Sequence, residues 1–110
     1  MRVFIAGPYG DHNTPETIAA NVARADAVAR DLMAAGHQVY VPHKMSWGWE
    51  RDSRLTRAQF IALDNSYLEL WAEAIVRIPG HSPGADAEME YAARLGLTVL
   101  PFPRKAGDAP

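Results

Sequence analysis

Hydrophobic and polar positions along this chain change rhythm several times, and each change marks an element. Val3 to Ala6 is an unbroken apolar run stopped by Gly7-Pro8-Tyr9-Gly10, the pattern of a short buried strand ending in a turn. From Pro15 to Ala35 the apolar residues Ile18, Val22, Ala25, Val28 or Ala29, and Leu32 recur at helical spacing. Thr14 suits the N-cap of that helix, Pro15 its first position and Gly36 the position just past its end. Gln38 to Val41 reads as a second strand closed by Pro42, followed by about a dozen residues without a period that include Trp47-Gly48-Trp49. A second helix is expected from about Leu55 to Leu70, with Phe60, Leu63, Tyr67 and Leu70 along one stripe. Ala74 to Ile78 gives a third strand stopped by Pro79-Gly80, Asp86 to Leu95 a third helix ended by Gly96, and Leu97 to Leu100 a fourth strand.

Strands alternating with helices over short connections imply a parallel sheet covered on both faces. The expected fold is therefore a single α/β domain over residues 1–103, Rossmann-like in the flavodoxin manner, with four to five strands. Residues 104–110 read as a flexible tail. In such sheets ligands bind outside the carboxyl ends of the strands. That edge receives the unusual residues: Gly7 to Gly10 after the first strand, the tryptophan loop after the second, and Ser82-Pro83-Gly84 after the third.

Composition narrows the function classes. A chain of 110 residues, 48% hydrophobic and 22% charged, is ordinary for one soluble domain. A net charge of −2 with scattered Lys and Arg offers no footprint for nucleic acid. The absence of cysteine removes disulfides, thiolate metal sites and a Cys nucleophile. The opening apolar run is too short for a signal peptide or a membrane span, so a cytoplasmic location without a membrane partner is expected. His12, His37, His43 and His81 show no metal-ligand spacing, and no metal or cofactor is implied.

Two carboxylates carry the candidate chemistry. The loop His81 to Gly84 runs into a helix that carries Glu88 about one turn inside. The unpartnered amides at a helix start attract phosphate and favour the ionised form of a nearby acid. Asp86, Glu88 and Glu90 together also fit plain helix-dipole compensation. Asp64 sits on or beside the apolar stripe of the second helix. It is either a solvated boundary residue or an acid whose pKa burial has raised so that it protonates a leaving group. One neutral acid beside one charged carboxylate is the division of labour in glycosidic-bond cleavage.

Phe4-Ile5-Ala6-Gly7-Pro8, Leu63-Asp64-Asn65-Ser66-Tyr67-Leu68 and Ser82-Pro83-Gly84-Ala85-Asp86-Ala87-Glu88 resemble the nucleoside 2-deoxyribosyltransferase superfamily, and most closely its 2'-deoxynucleoside 5'-phosphate N-hydrolase branch. The resemblance runs from Arg2 to about Pro103 and includes the separation of Asp64, Ser82 and Glu88. It implies that Glu88 is the nucleophile attacking C1' of the sugar and that Asp64 is the acid assisting departure of the base. It further implies that Ser82 and the amides near Gly84 hold a 5'-phosphate, and that Gly7 forms the tight turn admitting the ligand to the first strand. Two positions depart from the family pattern. Phe4 stands where a tyrosine often bonds the nucleophile, leaving Tyr9 or Tyr91 to substitute or the nucleophile to go unassisted. Glu90 stands two after the nucleophile, where glycine is frequent, either harmlessly on the outer face or crowding the site.

The expected activity is hydrolysis of the N-glycosidic bond of a (deoxy)nucleoside 5'-monophosphate through a glycosyl-enzyme on Glu88. The alternatives are base exchange by a deoxyribosyltransferase and a non-catalytic nucleotide-sensing module. Tyr9, Trp47 and His43 join Gly7, Ser82 and Gly84 as candidate substrate-binding residues. Trp47 and Trp49 suit either stacking on a base or anchoring their loop. His43 and His81, with Arg51, Arg54 and Lys44 as weaker candidates, suit phosphate. A homodimer or larger homo-oligomer is expected, with the tryptophan loop and Trp71 as interface anchors.

Overall fold

The computed structural model describes residues 1–10 and 14–102; His12 and the proposed tail from 104 lie outside them. Its order is β1 (Arg2–Ala6), α1 (Pro15–Ala34), β2 (Gln38–Tyr40), α2 (Pro42–Met45), a 3-10 turn (Trp49–Arg51), α3 (Arg57–Leu70), β3 (Ala74–Arg77), α4 (Pro83–Leu95) and β4 (Thr98–Leu100). The four strands form one parallel sheet in the order β2-β1-β3-β4. The expectation of a flavodoxin-like α/β sheet with helices on both faces holds, at four strands.

Alternation along β1 builds both cores. Val3 and Ile5 point to α1, packing with Ala25, Val28, Ala29, Leu32 and Val76. Phe4 and Ala6 point to the other face, where Leu68 of α3, Ala85 and Ala92 of α4, and Ile75 cover them. Burial of β1 on both sides explains its continuous apolar run, since a strand between two helical layers has no face left for polar residues.

Four local expectations change. The stretch after β2 is not structureless, because Pro42 starts the short helix α2 and Trp49–Arg51 form a 3-10 turn. The second expected helix starts at Arg57, fixed by a capping box in which Thr56 and Gln59 exchange side-chain and backbone bonds. Its stripe is also rotated: Leu68 is the buried residue and Leu70 is 85% exposed. The third expected helix begins three residues early, at Pro83, because Ser82 is its N-cap. Proline at the first helical position is favourable, so Ser-Pro was the true start signal rather than part of a loop.

Gly7 and Gly80 are fixed by crowding. A Cβ on Gly7 would lie 2.8 Å from Ile78 Cβ, and one on Gly80, whose φ is +130°, would lie 2.8 Å from Pro8 Cγ. The loops after β1 and β3 therefore close against each other. Gly7 serves this packing and also lines the cavity above the strand ends.

Candidate active site

Order along the sheet reverses between β1 and β3, since β1 connects to β2 on one side and the chain then crosses to β3 on the other. Such a switch point leaves a crevice above the strand ends. A cavity of about 720 Å³ opens there. Gly7, Tyr9 and Gly10 line it from the loop after β1; His43, Ser46 and Glu50 from the segment after β2; Phe60, Ile61, Asp64 and Asn65 from α3; and His81 to Ala85, with Glu88 and Tyr91, from the β3–α4 side.

Asp64 and Glu88 meet in this cavity from adjacent helices. Burial pushes the Asp64 carboxyl up to about 6. Glu88 is pushed up to about 8, first by burial and then by the negative charge of Asp64, with Arg77 pulling the other way. Near neutral pH the pair as a unit holds one proton and one negative charge. The helix start was expected to keep Glu88 ionised, and burial instead raises its pKa. The reason is position: with α4 starting at Pro83, Glu88 lies beyond the first turn, where the helix dipole has faded, and desolvation dominates. The acid in the first turn is Asp86, and Arg77 neutralises it at 2.9 Å.

Tyr40 is a third phenol near the pair, one the sequence did not single out. It lies opposite Phe4 in the β1–β2 register. Its ring stacks on Tyr67 at 3.7 Å between centroids, and Trp71 meets both rings edge-on at 6.5 Å. Its hydroxyl is buried without a hydrogen-bond partner among the described residues. Burial, and the charges of Asp64 and Glu88, raise it above the ordinary phenol range. Tyr9 instead donates a hydrogen bond to Glu50 at 3.0 Å, and Tyr91 donates one to Glu69. Trp71, expected at an interface, packs its ring against this aromatic stack and is half-buried. Nothing in the alternation of β2 marked Tyr40; only its register beside Phe4 reveals it.

The β3–α4 loop is tightly organised. Ser82 Oγ accepts from the Ala85 amide at 3.1 Å, and the Ser82 carbonyl accepts from the Asp86 amide at 3.0 Å. Ser82 is thus an N-cap first, with its hydroxyl proton still available to an anion. A Cβ on Gly84 would meet nothing within 4 Å, so open space lies over the helix start. Behind the loop, Arg77 donates to the carbonyls of Ile78 and, at 2.9 Å, of Gly80. Arg77 was missed in the sequence, although a lone arginine closing an apolar strand is a readable signal.

Other expected contacts are distributed differently. His43 is buried, and its Nε2 donates toward the Gly7 and Pro8 carbonyls at 3.1 and 3.0 Å. Burial lowers its pKa, so it is a neutral clasp on the β1 loop. It also lines the cavity, and its buried Nδ1 has no hydrogen-bond partner among the described residues. Trp47, 51% exposed, and Trp49, 44% exposed, lie outside the cavity lining. Arg54 pairs with Asp52 and Lys44 with Asp26, both away from the cavity. Glu90 pairs with Arg94 on the outer face of α4, so it does not crowd the site. Among the described residues no group of three or more His, Asp or Glu is placed to hold a metal ion.

Comparison with known proteins agrees on the fold. The chain is similar to the solved structure of a 2-deoxyribosyltransferase from the psychrotolerant bacterium Bacillus psychrosaccharolyticus, described as a biocatalyst for the synthesis of antiviral and antitumoral nucleosides. The TM-score is 0.65 and the identity 24%, over 92% of this chain and 71% of that one. No curated protein matches the sequence. Residues 1–102 match the family described as Domain of unknown function (DUF7768), and the chain belongs to that family.

Proposed function

We propose that this domain hydrolyses the N-glycosidic bond of a (deoxy)nucleoside 5'-monophosphate, releasing free base and sugar 5-phosphate. The observation that carries this reading is the Asp64–Glu88 pair, two half-buried acids with raised affinity for protons facing one cavity. The reactive form has the shared proton on Asp64 and the charge on Glu88. Glu88 attacks C1' as the C1'–N bond breaks, and Asp64 gives its proton to the departing base. The product of this step is an ester between Glu88 and the sugar. Asp64, now a carboxylate, takes a proton from water as that water attacks C1'. The ester then releases Glu88 and sugar phosphate, and the pair is left with one proton as before. Two carboxylates in these roles are the retaining arrangement of glycoside hydrolysis.

The phosphate falls to the start of α4, where the helix dipole, the Ser82 hydroxyl and the open space over Gly84 favour an anion. Tyr40, whose buried hydroxyl has no partner among the described residues, is proposed to donate to the charged carboxyl during the reaction. The fold likeness to a 2-deoxyribosyltransferase supports nucleoside chemistry in general and favours base exchange as the second reading. In that case a second base, not water, attacks the ester. Incubating the protein with monophosphates, with and without a second free base, separates the two. Base release in water alone supports hydrolysis, and release only with an acceptor supports exchange.

We also propose a homodimer formed around Met45, Trp47 and Trp49, large apolar side chains clustered on one segment and each at least 40% exposed.

A further inference from the structure

We propose that Arg77 is a positioning residue for the phosphate: by holding the loop after β3 from behind, it turns the His81 amide into the cavity as a further donor to the anion. This inference rests on the nucleotide reading above and deepens it by naming a group the phosphate meets and the residue that aims it.

The carbonyls of this loop are engaged by two arginines. Arg77 Nη1 donates to the Ile78 carbonyl, and Nη2 donates to those of Gly80 at 2.9 Å and Ser82 at 3.5 Å. Its Nε and Nη2 also reach Asp86 Oδ1, at 3.3 and 2.9 Å, so one guanidinium ties the end of β3 to the first turn of α4. Arg24 of α1 takes the Pro79 carbonyl at 2.9 Å, while its own guanidinium lies over the Phe102 ring at 5.9 Å. The Arg77 side chain is 20% exposed and does not line the cavity. Only arginine fits this place. Lysine would keep the charge, but its single nitrogen cannot span three carbonyls and a carboxylate.

Peptide geometry then decides which amide is presented. In a trans peptide the C=O and N–H point in opposite directions. With the Gly80 carbonyl turned to Arg77, the N–H of that peptide, which belongs to His81, points away from Arg77. His81 lines the cavity and Arg77 does not, so this amide is turned to the cavity side. The Ile78 and Ser82 carbonyls sit in peptides closed by Pro79 and Pro83, which have no N–H to offer. The Pro79 carbonyl shares its peptide with the Gly80 amide, and Gly80 packs toward Pro8 instead of lining the cavity. His81 is therefore the donor that the held peptides present to the cavity, and no acceptor meets its amide among the described residues. The Ser82 hydroxyl and the open space over Gly84 follow it directly along the chain. A donor already aimed needs no reorganisation when the anion arrives.

The test is an amide NMR titration of wild type and Arg77→Lys with the four 2'-deoxynucleoside 5'-monophosphates and their parent deoxynucleosides. In wild type the His81 amide proton is expected to move downfield with a monophosphate and to stay in place with the nucleoside. The monophosphate should also bind about 10-fold or more tightly than its nucleoside. Arg77→Lys is expected to lose the His81 shift and to bind the monophosphate about 10-fold or more weakly, with nucleoside affinity within about 2-fold of wild type. Wild-type monophosphate affinity in Arg77→Lys would mean that charge alone matters, and it would overturn the proposal. An equal loss for both ligands would mean that Arg77 only holds the fold, with the same consequence. An unmoved His81 amide in wild type, which needs no variant to observe, would overturn it too, as would binding of no monophosphate. Phosphate-dependent movement of His81 without base release would leave this inference standing and remove the hydrolase. Base release with an unmoved His81 amide would do the reverse.

Discussion

In the proposed mechanism Asp64 and Glu88 share one proton between an acid and a nucleophile. Their raised pKa values predict that turnover is bell-shaped in pH, with limbs near about 6 and 8, because only the singly protonated pair holds both an acid and a nucleophile. A pH–rate profile checks this, and Glu88→Gln should lower kcat by about 10³-fold or more. The same values bear on stability. Both groups bind protons more tightly folded than unfolded. Their contribution is fully present below about pH 4 and lost as pH rises through about 6 and then 8. Thermal melts should therefore fall between pH 5 and 9 in the wild type and flatten in Glu88→Gln. Tyr40→Phe removes a buried, unpartnered hydroxyl, so the fold should keep or gain stability, by up to about 1 kcal/mol, while activity falls about 10-fold. At this scale Asp64 was legible because it sits against an apolar stripe, and Glu88 because it follows a Ser-Pro-Gly loop at the start of a helix. Their protonation was not, because it follows from burial and from each other. Tyr40 was invisible for a related reason: its meaning comes from a strand pairing with Phe4.

Helix α4 and the loop before it decide whether an anion is held. Ser82 has two tasks here, capping the helix and facing the cavity, and two substitutions separate them. Ser82→Ala should cost about 1 kcal/mol of stability, read as a lower Tm. Ser82→Asp keeps a cap, so its Tm should stay near wild type, but a carboxylate facing phosphate should raise KM for a monophosphate about 10-fold or more. Gly7→Ala tests the closure of the β1 and β3 loops. Its methyl would stand 2.8 Å from Ile78 Cβ and should destabilise by about 1–3 kcal/mol, measured by denaturant titration. Long, strongly periodic α1 was readable nearly to the residue, with its Thr14 cap. Helix α3 was readable in extent but not in facing, since apolar residues surround it and only packing against Phe4 and Ile75 selects Leu68 over Leu70. Helix α2 was too short to show a period.

At the scale of the molecule, a four-stranded parallel sheet with one reversal places a crevice where the loops after β1, β2 and β3 converge. The layering was legible from the alternation of strands and helices. Strand order was not, because nothing local in β3 states that it pairs with β1 rather than β2. That order is what brings α3 and α4 side by side and so joins Asp64 to Glu88. Sedimentation should find a dimer, and replacing Trp47 and Trp49 together by Ser should shift it toward monomer without lowering Tm, because both side chains are largely exposed. The central claim is that the pair cleaves an N-glycosidic bond. It is tested most directly by following free base chromatographically from a panel of ribo- and deoxyribonucleoside monophosphates, with wild type and Glu88→Gln in parallel. The account predicts base release in water alone by the wild type and none by the variant. Base release that survives in Glu88→Gln, or no release from any monophosphate by the wild type, would contradict it.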